Sequence, residues 1–302
     1  MQSTYFEPTT IVDAVEILDA EGIQAGVVAG GTDLVVANRM VKRRLPSALV
    51  AIHRITEMRG IVVETEGSLR LGALVTYADI EASQVLRSDY SALADAAALV
   101  GSPATRHIGT VGGNLCNGSP AMESGGPLLC FNASVELASR HGTRTISLVE
   151  FLTGPGTTTL AASELLAAVL VPPLPSGDVG SAYLRLEYRR AMEIAVVGAT
   201  ALVTLDANKV LSEVRLALTA VAPTCIRVPA AEGMLRGHAP TAALFAEAGR
   251  VAADAARPID DVRAPAAYRR AMVPVLVGRA LELAVRRARR EELPFPAARA
   301  FD

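Results

Sequence analysis

Glycine is distributed unevenly along this chain, and this limits the fold more than any other feature. Seven of the 24 glycines fall between Gly101 and Gly126. The densest part reads TVGGNLCNGSPAMESGG, from Thr110 to Gly126. Glycine costs about 1 kcal/mol per residue in a helix relative to alanine, so this stretch is predicted not to be helical. Its apolar start argues against a plain surface loop. Glycine permits close approach, so main-chain N–H groups could face a ligand with no Cβ between them. The preferred ligand of exposed N–H groups is an anion, most often phosphate. A second pair, Gly30–Gly31, lies in VVAGGTDLVV at a predicted strand-to-helix turn. Two such turns could hold the two ends of a pyrophosphate. A glycine pair taken alone is more often a tight turn, and Asp33 could cap the same N–H groups.

Neither segment fits a standard nucleotide motif. There is no GxGxxG opening a helix and no P-loop. Ser119 lacks a GxSxG elbow. Cys116, Cys130 and Cys225 are far apart and lack a CxxC spacing, so they form neither a disulfide framework nor a metal site. Cys116 is read as packed beside the glycine segment rather than as a nucleophile. No catalytic residue and no metal ligand is assigned.

The chain has 302 residues, enough for about two domains. Half of them are hydrophobic (51%), which supplies a sizeable core. The net charge of −2 and the absence of Trp give no support to nucleic-acid binding. No apolar run reaches the ~18 residues of a membrane span. The N-terminus lacks the basic and apolar regions of a secretory signal, and a reduced, cytoplasmic setting is expected.

Periodicity predicts a helix after Thr10, with Ile11, Val12, Val15 and Leu18 on its apolar face and Gly22 as its stop. A strand (AGVVAGG), a helix (TDLVVANRMVKR) and a strand (SALVAIHRI) follow. GIVVETEGSLRLGALVTYADIEAS reads as a hairpin, SDYSALADAAALVGS as a helix, and PLLCFNASVELASRHGTRTISLVEFL as a hairpin turning at His141 and Gly142. Pro172 to Gly180 marks a domain boundary. Beyond it come two long strands turning at Asp206 to Asn208, then helices. Met272, Val275, Leu276, Ala280 and Leu283 recur at helical spacing, with Pro274 in the first turn. The basic run Arg286 to Arg290 reads as a solvated face, with Glu282 pairing Arg286.

VVAGGTDLV, then SPATRHIGTVGGNLCNGSPAMES, then AYLRLEYRRAMEIAVVGA resemble, in order and spacing, the flavin subunit of molybdenum hydroxylases. That family includes the medium subunit of carbon monoxide dehydrogenase and the FAD domain of xanthine dehydrogenase. APAAYRRAMVPVLVGRALELA is similar to the helical end of the same subunits, so the resemblance covers essentially the whole chain. It implies an α+β fold. A two-lobed, PCMH-type FAD-binding domain would occupy residues 1–175, with a small lobe of about 1–56 and a larger one of about 57–175. A domain of antiparallel strands plus a helix bundle would occupy 176–302.

On this resemblance Val27, Val28, Ala29, Gly30, Gly31, Thr32, Asp33 and Leu34 wrap the FAD pyrophosphate. Thr110, Gly112, Gly113 and Asn114 form a second wall. Val100 and Leu166 match apolar positions that line the cofactor. Ser119 and Glu123 match the part that turns toward the ribityl and adenosine hydroxyls, and Arg185 stands where some relatives place a flavin-contacting Lys. The expected partners are a large subunit with a molybdenum cofactor and a small subunit with two 2Fe–2S clusters. The complex would be a heterotrimeric oxidoreductase with NAD, oxygen or a quinone as terminal acceptor.

Some positions depart from the family pattern. Glu123 and Glu193 stand where relatives usually carry Asp, and each moves its acceptor by one methylene. Arg185 replaces a point charge by a planar fork. Ile194 occupies a position where carbon monoxide dehydrogenase has Tyr, which disfavours carbon monoxide as substrate. The cysteine-rich insertion of the hydroxybenzoyl-CoA reductases is absent. Two alternatives stay open: a stand-alone reductase of the UDP-N-acetylenolpyruvoylglucosamine type, and a non-catalytic assembly subunit.

Overall fold

The computed structural model describes residues 3–40 and 45–301. The predicted helix through Arg43 is present as far as Met40, and its last positions lie outside the described residues. In chain order the first elements are β1 (Thr4–Phe6), α1 (Ile11–Glu21), β2 (Ala25–Val28), α2 (Thr32–Met40), β3 (Ala48–Ala51), β4 (Ile61–Val63) and β5 (Leu69–Gly72). Then come α3 (Tyr77–Ala82), α4 (Gln84–Ser88), α5 (Ser91–Leu99), α6 (Pro103–Arg106), α7 (Val111–Asn117) and α8 (Gly125–Cys130). A middle group follows: β6 (Ser134–Ser139), β7 (Gly142–Ser147), α9 (Leu148–Phe151), β8 (Leu152–Gly154), β9 (Thr157–Thr158) and β10 (Leu165–Val171). Last are β11 (Asp178–Leu186), β12 (Val197–Leu205), β13 (Leu211–Thr219), β14 (Ile226–Arg227), α10 (Pro229–Leu235), α11 (Ala242–Ala255) and α12 (Ala266–Ala288). The class is α+β.

The chain forms two compact, discontinuous units. The first comprises Met1–Tyr77, Pro103–Gly118 and Ala133–Pro172, and the second Ala78–Ser102, Ser119–Asn132 and Pro173–Asp302. In the first unit, β1, β3 and β2 form a parallel sheet in that order. A second sheet, β4-β5-β10-β6-β7, is antiparallel throughout. Thr10 caps α1 by accepting from the Asp13 N–H. The buried face of α1 is Ala14, Val15 and Leu18, whereas Val12 is 63% exposed. The apolar stripe is thus rotated from the predicted one. The predicted hairpin after Gly60 ends at Gly72, and α3 takes Tyr77–Ala82.

In the second unit β11, β12, β13 and β14 form an antiparallel sheet. One face carries Ala182, Leu184, Ala199, Ala201, Val203, Leu216 and Leu218, all part of an apolar core shared with α10, α11 and α12. Small residues permit close contact here. A Cβ on Gly180 would lie 2.1 Å from the Ala284 carbonyl oxygen of α12. One on Gly249 in α11 would lie 2.7 Å from Pro274 Cα. Because α12 begins at Ala266, Pro274 sits inside it rather than in its first turn.

The basic run is only partly solvated, which corrects the sequence reading. Arg286 pairs with Glu291 at 2.8 Å rather than with Glu282. Arg287 turns inward to Asp95, which is fully buried in α5. Its Nη1 and Nη2 donate to Asp95 Oδ2 and Oδ1 at 2.5 and 2.9 Å. Asp95 also accepts from the backbone N–H groups of Tyr183 and Ala297. One carboxylate thereby ties α5, β11, α12 and the C-terminal segment.

The stretch predicted to be non-helical contains two short helices, α7 and α8. Packing overrides intrinsic propensity here. Thr110 caps α7 by accepting from the Gly113 N–H at 3.1 Å, and Gly118 ends it in the left-handed region at φ 60°. Gly125 and Gly126 bring α8 against the second unit's sheet. A Cβ on Gly126 would sit 2.6 Å from Thr200 Oγ1, and one on Gly125 would sit 2.6 Å from Cys225 Sγ.

Candidate functional site

The first unit brings the two glycine segments together. β2 runs into a turn at Ala29–Gly31, where Gly31 takes a φ of +70° that suits glycine. A Cβ on Gly30 would lie 2.0 Å from the Ile108 carbonyl oxygen, so this turn rests directly on the chain before Thr110. A Cβ on Gly113 would lie 3.9 Å from the Ala29 Cβ. The predicted first and second walls are therefore neighbours.

They do not offer the same chemistry. Val35 N–H donates to Gly31 O at 3.0 Å, so Gly31 occupies the capping position of α2. The N–H groups of Thr32, Asp33 and Leu34 then have no partner within the helix. The Asp33 side chain does not cap them: its carboxyl is raised from its ordinary value by desolvation, with no hydrogen bond pulling it down. A helix end of this kind suits an anion. In the second segment the donors are already used. Val111 N–H goes to Val75 O, Gly112 N–H to Ala73 O, Gly113 N–H to Thr110 Oγ1 and Asn114 N–H to Thr110 O. Gly112 is also pressed on Ala73, with a Cβ position 2.6 Å from the Ala73 Cβ. Thr110 to Asn114 therefore provide surface and space, mainly at Gly113, rather than backbone donors. Around these turns Val27 is 36% exposed and Ile108 52% exposed, an apolar rim suited to an aromatic ring. Val28 pairs with Ala51, and Leu166 is buried in β10.

The second unit holds the remaining candidates. Val100 ends α5, its N–H on Ala97 O. Ser119 shapes a turn, its Oγ accepting from Ala121 N–H and its carbonyl from Met122 N–H. Glu123 and Arg185 meet each other. Arg185 Nη1 donates to Glu123 Oε1 at 2.5 Å and to the Glu193 carbonyl at 3.2 Å, while Nε donates to Glu187 Oε2 at 2.6 Å. The Arg185 side chain has no solvent exposure. Burial pushes the Glu123 carboxyl up, and the Arg185 charge only partly offsets this. Tyr183 Oη is buried without a hydrogen-bond partner, and Arg185 Nη2 is buried against Glu187 Oε2, 2.5 Å away. Glu187 and Tyr183 were not singled out from the sequence. The signal for them is strand alternation, because 183, 185 and 187 fall on one side of the β11 path.

Burial pushes all three cysteine thiols up to about 12, so none supplies a thiolate nucleophile near neutral pH. Among the described residues no group of His, Cys, Asp or Glu could hold a metal, and no helix is long and apolar enough to cross a membrane. A surface cleft of ≈ 630 Å³ lies elsewhere, between α1 and the β6–β7 hairpin, and is lined by Val15, Glu16, Asp19 and Arg140 among others. Arg140 bridges to Asp19 across it at 2.6 Å. It touches neither glycine segment.

A pyrophosphate-bearing cofactor fits the features of the first unit: N–H groups at the start of α2 with no partner within the helix, room at Gly113, and an apolar rim at Val27 and Ile108. Comparisons with known proteins agree. The family described as FAD binding domain in molybdopterin dehydrogenase matches residues 1–174, and the CO dehydrogenase flavoprotein C-terminal domain matches 182–284. The xanthine dehydrogenase FAD-binding subunit of Escherichia coli O157:H7 is 37% identical over 230 residues, 76% of this chain and 78% of the relative. The carbon monoxide dehydrogenase medium chain of Hydrogenophaga pseudoflava is 34% identical over 287 residues, 93% and 96% of the two chains. The solved carbon monoxide dehydrogenase of that organism, in a form lacking the Mo-pyranopterin moiety, superposes with a TM-score of 0.89 at 31% identity, covering 95% of this chain and 98% of that one. The chain belongs to the FAD-binding subunits of the molybdenum hydroxylases, the oxidoreductase family of the xanthine and carbon monoxide dehydrogenase flavoproteins.

Proposed function

We propose that this chain is the electron-transfer flavoprotein of a heteromeric molybdenum-containing hydroxylase. It receives electrons from a partner subunit bearing 2Fe–2S clusters and passes them to an external acceptor. The observation that carries this reading is the open first turn of α2 beside Gly113. Bound FAD supplies the redox chemistry, accepting electrons singly and releasing two. The protein's own task is to bind and orient it. The N–H groups of Thr32, Asp33 and Leu34 would hold the pyrophosphate, and Gly113 would leave it room. None of these residues needs to act as an acid or base on the substrate, which would be oxidised at the molybdenum subunit.

Two further points support the division of labour. Three separated cysteines fall short of the four ligands a 2Fe–2S cluster takes, so such clusters would sit on another chain. The relatives are themselves described as parts of larger enzymes, among them a medium chain and a subunit of a 6-hydroxypseudooxynicotine dehydrogenase complex. Affinity purification of the tagged chain from its native cells tests the proposal. A yellow complex with one molybdenum-containing and one iron–sulfur polypeptide is expected. A yellow, active monomer would support the stand-alone reductase instead.

A further inference from the structure

Ile108 stands against the turn proposed for the pyrophosphate, although nothing in the sequence assigns it there. The three atoms closest to a Cβ on Gly30 all belong to Ile108: its carbonyl oxygen at 2.0 Å, its carbonyl carbon at 2.7 Å and its Cγ2 at 3.2 Å. Gly30 precedes Gly31, which occupies the capping position of α2, so Ile108 adjoins the helix end whose N–H groups have no partner within the helix. The next residue keeps the same company, because a Cβ on Gly109 would lie 4.0 Å from Oγ1 of Thr32, the first residue of α2. All of these residues belong to the first unit. The backbone at Ile108 is tied down. Ile108 N–H donates to Thr105 O at 3.1 Å, Gly109 N–H to the same oxygen at 2.7 Å, and Tyr77 N–H to Gly109 O at 3.2 Å. A β-branched side chain on a fixed backbone has little rotamer freedom to lose when a ligand covers it. Yet Ile108 is 52% exposed. A single exposed isoleucine is ordinary on a protein surface; its place beside the open helix end distinguishes this one.

We propose that Ile108 is an apolar platform for one of the two aromatic ring systems of FAD, next to the pyrophosphate at the start of α2. The inference rests on the FAD reading above. A dinucleotide held by its pyrophosphate extends in two directions from the helix end, and the side chain beside Gly30 that it meets is Ile108. Binding removes the exposed part of the isoleucine from water, which contributes affinity without a directional contact. The hydrogen bonds of the Thr105–Gly109 turn keep this surface in place before the cofactor arrives.

The test uses the full chain with Ile108→Val and Ile108→Thr, titrated calorimetrically with FAD, ADP and FMN, and thermal melting of the FAD-free chain. Valine and threonine have nearly the same shape and both keep two branches at Cβ, so they differ in offering the ring a methyl or a hydroxyl. Ile108→Thr is expected to weaken FAD binding about tenfold and Ile108→Val about threefold, with the melting temperature unchanged because the side chain is exposed. A matching loss for ADP with FMN unaffected puts the adenine on Ile108. A matching loss for FMN with ADP unaffected puts the flavin there. Where a fragment binds too weakly to titrate, the FAD series decides alone. Parental FAD affinity in Ile108→Thr overturns the proposal. An equal loss in the two variants, or an equal loss for ADP and FMN, also overturns it, since either reports a disturbed turn rather than a lost apolar contact. A folded parental chain that binds no FAD defeats the functional reading itself, and is recognised before any variant is made.

Discussion

Gly113→Val abolishes FAD retention and leaves the protein folded. At this position a Cβ already comes within 3.0 Å of Thr110 Oγ1 and faces the Ala29 Cβ at 3.9 Å. The two γ-methyls of valine extend past that point into the space between the glycine segments. Thr110 Oγ1 must give by a few tenths of an ångström, and α7 itself does not suffer, since valine is a better helix former than glycine. The affinity for FAD is expected to fall at least about a hundredfold, ~2.8 kcal/mol, with the circular dichroism spectrum and melting temperature near the parental values. Gly113→Ala is expected to lie between the two. Gly30 is the wrong place for this experiment. A Cβ there would strike the Ile108 backbone at 2.0 Å, so loss of flavin would be confounded by a distorted turn.

The largest stability effect is expected at Asp95. Asp95→Ala strips Arg287 of both carboxylate oxygens and leaves its charge, only 14% exposed, without a counter-ion. It also releases the Ala297 N–H, bound at 2.8 Å. Breaking a buried pair from one side costs about 3–5 kcal/mol. For a unit of this size that corresponds to a melting temperature lower by on the order of 10 °C. Differential scanning calorimetry checks it. A shift of only a degree or two would show that the pair is a surface bridge in effect. The double variant Asp95→Ala with Arg287→Met is expected to recover part of the loss, because no charge is then left buried alone.

Several elements were legible because short-range chemistry writes them. Thr10 three residues before Asp13 marks the start of α1, and the Pro172–Pro173 pair follows the end of β10. Alternation and the Asp206–Asn208 turn mark β12 and β13. The glycine segment was misread as non-helical because two demands use the same residue. Close approach to a ligand and close approach to another part of the protein both need glycine. At Gly112, Gly125 and Gly126 the neighbour is protein: Ala73, Cys225 and Thr200. Of these positions in the segment, Gly113 combines a tolerable Cβ environment with the first glycine wall. Which backbone donors are free was likewise hidden, since it depends on Val75 and Ala73, far from Thr110 in sequence. The inward turn of Arg287 was illegible for a similar reason: its partner lies 192 positions away, and a run of arginines reads as solvated wherever its counter-ion is not local. Glu187 was overlooked although it follows Arg185 at strand spacing.

The open turn of α2 and the gap at Gly113 are expected to hold FAD. The most direct measurement is the flavin-to-protein ratio of the purified chain after incubation with excess FAD and gel filtration. One FAD per chain, lost in Gly113→Val, is the predicted result. A folded parental chain that emerges colourless, or a Gly113→Val variant with full flavin content, would contradict it.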